Sequence, residues 1–205
     1  MLETALETTI DLIRHGEPVG GAKFRGHIDD PLSEKGWAQM RAAVQGEGAW
    51  QAVVSSPLLR CAEFAAELAA SAAAPLEIEA GFKEIGFGAW EGRTAEELMQ
   101  SAPDCLDRFW RDPARYTPPG GEALGVFAAR VTASWSDTLA RHAGKKILLV
   151  AHGGVNRVIL CHVLQIPLQN MFRLQVPFAG MSRVRVLGSD AEALPQLVFH
   201  GNSPA

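Results

Sequence analysis

Two short apolar runs, far apart in the chain, each end on a histidine followed by glycine, and no other feature constrains the fold so tightly. Ile10, Leu12 and Ile13 lead into Arg14-His15-Gly16-Glu17, while Ile147-Leu148-Leu149-Val150-Ala151 leads into His152-Gly153-Gly154. Apolar runs of this length suit strands buried on both faces of a parallel sheet. Such strands avoid arginine and histidine, so these residues mark strand ends. In open parallel sheets ligands bind outside the carboxyl ends of the strands. Two strands that each deliver a histidine at the tip therefore predict one site, with Arg14 beside it to meet an anion.

The remainder of the chain alternates strand and helix signals. The first ten or so residues, rich in Thr and Glu, read as a loose tail. Ser33 caps a predicted helix carrying Trp37, Met40 and Val44, and Gln51 to Ser55 reads as a second strand. Ser56 is the expected N-cap of the next helix, with Pro57 in its first position, which puts Arg60 in the first turn near the strand tips. Leu76 to Ile78 suits a short edge strand. The glycine-rich stretch from Phe82 to Gly92 predicts a loop that holds Glu84 and Glu91. Thr94 to Glu97 matches a capping box and opens a helical insertion that carries Phe109, Trp110 and Tyr116 and ends at Pro118-Pro119. Leu124, Phe127 or Ala128, Val131, Trp135 and Leu139 mark a long amphipathic helix. A helix over Val155 to Leu164 follows, then strands at Ser182 to Leu187 and Leu197 to Phe199. The expectation is one α/β domain over 1–205, a three-layer α/β/α sandwich on a mostly parallel sheet, with a cap insertion at about 85–120.

Five motifs carry a resemblance. R-H-G-E at Arg14 to Glu17, D-D-P-L-S at Asp29 to Ser33, S-S-P-L-L-R at Ser55 to Arg60, E-I-G-F-G-A-W-E-G at Glu84 to Gly92 and A-H-G-G-V at Ala151 to Val155 occur in the order of the histidine phosphatase (phosphoglycerate mutase-like) superfamily. Within it, the compact length and Pro118-Pro119-Gly120-Gly121-Glu122 look most like the α-ribazole phosphatases of cobalamin synthesis. The resemblance implies a phosphomonoesterase working through a phosphohistidine, with His15 the nucleophile, His152 a donor to the transferring phosphoryl group and Glu84 the proton donor. Arg14 and Arg60 would hold phosphate oxygens, with Gly16, Arg25 and Gly153 completing the substrate-binding set. Many relatives place a phosphate-binding asparagine a few residues after R-H-G-E. This chain has Gly20-Gly21 in a shorter loop, leaving backbone N–H groups or Arg25 to replace it.

The residue types fit that chemistry independently. A phosphate monoester repels nucleophiles, so its cleavage needs cations around the non-bridging oxygens, an activated nucleophile and an acid for the leaving oxygen. Arginine binds such oxygens in a bidentate manner, and two arginines beside an imidazole keep it neutral. The proton donor stays open between Glu84 and Glu17, with Glu91 in similar surroundings. His27, His142, His162 and His200 read as structural, as do Cys61, Cys105 and Cys161, which lack C-x-x-C pairing.

Composition closes other classes. A net charge of −4 with a pI near 5.9 gives no basic surface for nucleic acid. No apolar run reaches the ~20 residues of a membrane span, and the N-terminal residues lack the pattern of a signal peptide, so a cytoplasmic protein is expected. The glycine-rich loop after Glu17 lacks the G-K-[S/T] ending of a P-loop. No cofactor or metal is expected, the metal-dependent rival being a site formed by His15, His27 and His152. The expected partner is a small-molecule phosphate ester, neither nucleic acid nor membrane, and the oligomeric state stays open, with a homodimer among the options. The rival functions are mutase-type phosphoryl transfer and a non-catalytic phospho-ligand sensor.

Overall fold

The computed structural model describes residues 6–188 and 194–201. Six strands form one sheet: β1 (Glu7–Arg14), β2 (Ala52–Ser55), β3 (Leu76–Ile78), β4 (Lys146–Ala151), β5 (Met181–Leu187) and β6 (Leu194–Gly201). The helices are α1 (Glu34–Val44), α2 (Leu59–Ser71), α3 (Ala95–Ser101), α4 (Cys105–Arg111), α5 (Leu124–Arg141) and α6 (Gly153–Val163). The sheet order is β3-β2-β4-β1-β5-β6, with β1, β2, β3 and β4 parallel and β5 and β6 antiparallel. Among the described residues no helix is long and apolar enough to cross a membrane.

Side-chain alternation along the central strands builds two cores. Ile10, Leu12, Ile147, Leu149 and Ala151 pack with α5 and α6 on one face, whereas Ile13, Leu148 and Val150 pack with α1 and α2 on the other. Both faces are covered, which is why these strands read as unbroken apolar runs. The three-layer α/β/α arrangement agrees with the expectation from the sequence.

Two local expectations are corrected. β1 begins at Glu7, so part of the anticipated tail is strand: Glu7 to Thr9 pair with Leu187, Val186 and Arg185 of β5. Residues 1–5 of that tail lie outside the described residues. Ser56 does not cap α2; the N-cap is Leu58, without a side-chain bond, and Asp29 Oδ1 instead accepts the Leu59 N–H at 2.7 Å. The Ser56 hydroxyl accepts the Leu58 N–H at 3.3 Å, ahead of the helix, and lies 2.7 Å from His152 Nε2. Purely local signals held better, because Ser33 caps α1 and Thr94 with Glu97 forms a full capping box at α3.

One charged group lies inside the sheet. Asp11, fully buried in β1, accepts from Arg183 Nε at 2.6 Å, from Arg183 Nη2 at 3.0 Å and from Trp50 Nε1 at 2.8 Å. Removing one partner of a buried ion pair leaves an uncompensated charge, at about 3–5 kcal/mol. Arg183→Met is expected to lower unfolding free energy by roughly this amount in urea titrations. A loss below about 1 kcal/mol would mean that Trp50 and Lys146, whose Nζ is 3.7 Å away, suffice for Asp11.

Candidate active site

The parallel pairing of β1 with β4 aligns Arg14 with Ala151, so the next residue of each strand, His15 and His152, emerges at the same level. The backbone bond from His15 N–H to Ala151 O, 2.9 Å, extends the ladder to the histidine itself. The two rings stand edge to face with centroids 5.2 Å apart. His15 Nδ1 is 2.8 Å from the Gly16 carbonyl. A carbonyl only accepts, so Nδ1 carries the proton and Nε2 keeps its lone pair. His152 Nε2 lies 2.7 Å from Ser56 Oγ. Burial, then the charges of Arg14 and Arg60, push His15 well below the ordinary imidazole pKa. His152 is lowered likewise, by burial and then by Arg60. Both rings are neutral near pH 7.

Three arginines surround this pair. Arg14 donates Nη1 to the Val176 carbonyl at 2.7 Å and stacks on Phe178. Arg60, fully buried, is held by the carbonyls of Ile28 and Gly26 at 2.8 and 2.9 Å. Among the described residues the Nε atoms of Arg14 and Arg60 have no hydrogen-bond partner. Arg157, on α6, bonds the Leu174 carbonyl through Nε at 3.0 Å. Burial lowers Arg14 to about 10, with Glu84 opposing the shift and Arg157 and Arg60 adding to it. Burial lowers Arg157 as well. Buried cations with spare donors and too few carboxylates make an anion site.

Of the three candidate carboxylates, the structure brings one to the histidines. Glu84, buried, accepts from Ile85 N–H through Oε1 and from Gly154 N–H through Oε2, each at 3.0 Å. A Cβ on Gly154 would collide with Glu84 Oε1, so glycine there admits the carboxylate to the start of α6. Glu17 instead pairs with Lys35 at 2.7 Å on the surface. Both Glu91 oxygens are taken by the N–H groups of His27, Ile28 and Phe87. Gly16 packs on the Gly36 backbone, leaving no room for a side chain, and Gly153 opens α6 between Arg14 and Arg157. Arg25 reaches the site wall, but its three nitrogens each bond within its own loop, to Asp30, Gly21 and Val19. Its main contact is therefore the loop.

His15, Arg14, Glu84, Gly153 and Arg157 line one cavity of about 410 Å³. It is also lined by Phe24, Phe87, Phe109, Phe172 and Phe178, with Phe178 against Arg14 and His15, and Ala95 and Phe109 contributed by α3 and α4. Sequence reasoning missed Arg157, Ser56 and Asp29. Arg157 was within reach, because it lies four residues after Gly153 and so on the same helical face. Ser56 and Asp29 carried no such signal, since their partners are 96 and 30 residues away.

A model of the histidine phosphatase superfamily (branch 1) matches residues 10–194. A bifunctional protein of Mycobacterium tuberculosis is 32% identical over 180 residues, covering 85% of this chain and 49% of that protein, so the chain spans about half the length of this relative. A glucosyl-3-phosphoglycerate phosphatase of Mycolicibacterium vanbaalenii is 31% identical over 170 residues, 78% of this chain and 75% of the relative. In three dimensions the chain resembles an α-ribazole phosphatase from Shigella flexneri with a TM-score of 0.80 at 24% identity, over 95% of this chain and 96% of the other. With its paired histidines at adjacent strand tips and the family pattern running through most of its length, the chain belongs to the histidine phosphatase superfamily, branch 1.

Proposed function

We propose that the chain is a phosphomonoesterase that works through a phosphohistidine at His15. The observation that carries this reading is the neutral His15 ring, its Nδ1 proton given to the Gly16 carbonyl and its Nε2 free beside unpartnered arginine donors. His15 Nε2 attacks phosphorus while the bond to the ester oxygen breaks. Arg14, Arg60 and His152 bind the non-bridging oxygens, where negative charge is concentrated. Glu84 gives its proton to the departing oxygen and then takes one from the water that hydrolyses the phosphohistidine. Arg157 adds a further cation to the wall.

The cavity beside the histidines favours a substrate that carries a flat aromatic group on the alcohol bearing the phosphate. Five phenylalanines line it, and the polar side chains among the described lining residues are charged or ionisable ones, Lys23, Arg25 and Arg157 beside Arg14, His15 and Glu84. The proposal at its finest is α-ribazole 5′-phosphate, whose benzimidazole suits the phenylalanine wall. Residues at about 85–120 then act as a cap insertion that supplies two of the five phenylalanines, Phe87 and Phe109.

Rapid quenching with labelled substrate is expected to trap an acid-labile phosphoryl group, absent from His15→Ala. Label persisting on that variant would move the nucleophile to another residue. Because His15 stays neutral well below pH 6.5, phosphoenzyme formation should hold level as pH falls from 7.5 through 6, after correction for substrate ionisation. An acid limb centred near 6.5 would mean that the ring titrates normally. Across a panel of esters, kcat/KM for α-ribazole 5′-phosphate is expected to exceed that for hexose phosphates by roughly 10- to 200-fold. Equal values would remove the aromatic preference while leaving the phosphohistidine intact.

A further inference from the structure

The loop that carries Glu84 is held by side chains from outside it; His27 Nε2 lies 3.2 Å from the Glu84 carbonyl, and the larger set of bonds comes from Arg130 and Glu122. Arg130, on α5, donates all five of its N–H groups to this region. Nε bonds Glu122 Oε1 at 2.7 Å. Nη1 bonds the carbonyls of Gly81 at 2.8 Å and Lys83 at 2.7 Å. Nη2 bonds the Glu84 carbonyl at 3.0 Å and Glu122 Oε2 at 2.8 Å. Glu122 then reaches past Glu84: its Oε2 accepts the Gly86 N–H at 3.2 Å, and its own N–H donates to the Gly86 carbonyl at 2.8 Å. The backbone is thus tied on both sides of Glu84. Neither Arg130 nor Glu122 lines the cavity.

We propose that Arg130 and Glu122 are positioning residues that hold the Glu84 carboxylate at the histidine pair. The stretch from Phe82 to Gly92 contains only short 3₁₀ turns, so its carbonyls lack a ladder and need outside donors. A planar fork with five donors can bridge three carbonyls and a carboxylate at once, which a lysine ammonium cannot. The arrangement also gives a purpose to Pro118-Pro119-Gly120-Gly121-Glu122, a run that the chemistry at the histidines does not otherwise use. Gly88 lies against the backbone of Pro119 to Gly121, with the Ala89 N–H bonded to the Pro119 carbonyl at 2.9 Å. The turn thereby brings Glu122 to the loop.

This inference rests on Glu84 as the acid, so its test measures Glu84→Gln in parallel with Arg130→Lys and Glu122→Gln. Each variant is compared with the parent by kcat/KM on glycerol 2-phosphate, whose alkoxide needs a proton, and on p-nitrophenyl phosphate, whose phenolate does not. Glu84→Gln is expected to lose about 10²- to 10⁴-fold on the alkyl ester and much less on the aryl ester. The two positioning variants are expected to lose about 10- to 100-fold on the alkyl ester, the effect of a displaced catalytic group, and under about threefold on the aryl ester. A merely structural role would lower both substrates together. Glu122→Gln keeps the shape and an acceptor oxygen, so it carries the test should Arg130→Lys fail to fold. Leaving-group dependence in Glu84→Gln, with equal or no losses in the positioning variants, overturns this inference alone. Equal losses in Glu84→Gln overturn the acid assignment, and this inference with it.

Discussion

The pairing of β1 with β4 is the constraint on which the site depends. Neighbouring strands run about 4.8 Å apart, and a parallel pair in register places residues of equal height side by side. Arg14 opposite Ala151 fixes the height, and His15 and His152 follow with ring centroids 5.2 Å apart. A slip of one residue would turn every side chain to the opposite face and bury the wrong set. The two-faced apolar core therefore sets the geometry of the histidines as firmly as any contact they make themselves.

Around that pair the protein collects positive charge without matching it. Among the described residues Arg14 and Arg60 keep Nε donors unpartnered in a buried setting, and Arg14 is lowered by burial and by its neighbouring arginines. Such an arrangement costs stability while the site is empty and is relieved by an anion with several acceptor oxygens. Burial first, and then the same charges, keep both imidazoles neutral. Cys61, beside His152, is pushed upward by burial and behaves as a packed thiol.

The structure also separates three carboxylates whose local sequence surroundings are similar, although the family resemblance implied Glu84 as the proton donor. Glu17, Glu84 and Glu91 all sit beside glycine or apolar residues in loops. Glu17 is drawn to Lys35 and Glu91 to three backbone N–H groups, whereas Glu84 alone of the three meets the start of α6. Arg25 illustrates the reverse case, since its position in the loop after R-H-G-E suggested a ligand, whereas its nitrogens bond Asp30, Gly21 and Val19 of that loop. Which way a loop side chain turns depends on partners supplied from elsewhere in the fold.

What the sequence determined by itself was everything written in short-range pattern. Strand runs ending on histidine, the Ser33 cap, the Thr94 capping box and the stripe of α5 all follow from neighbouring residues, because they rest on local backbone geometry and periodicity. The order of the five motifs likewise made the family legible. Tertiary structure decided whatever requires two distant segments to meet. It turned part of the expected tail into strand by pairing Glu7 to Thr9 with β5, started α2 after Leu58 with Asp29 accepting the Leu59 N–H, and set Glu84, of the three carboxylates, against the start of α6. Arg130 came behind Glu84 by the same means, across 46 residues of chain. Hydrogen bonds and charges act through space, so only the folded chain states which groups are close enough to use them.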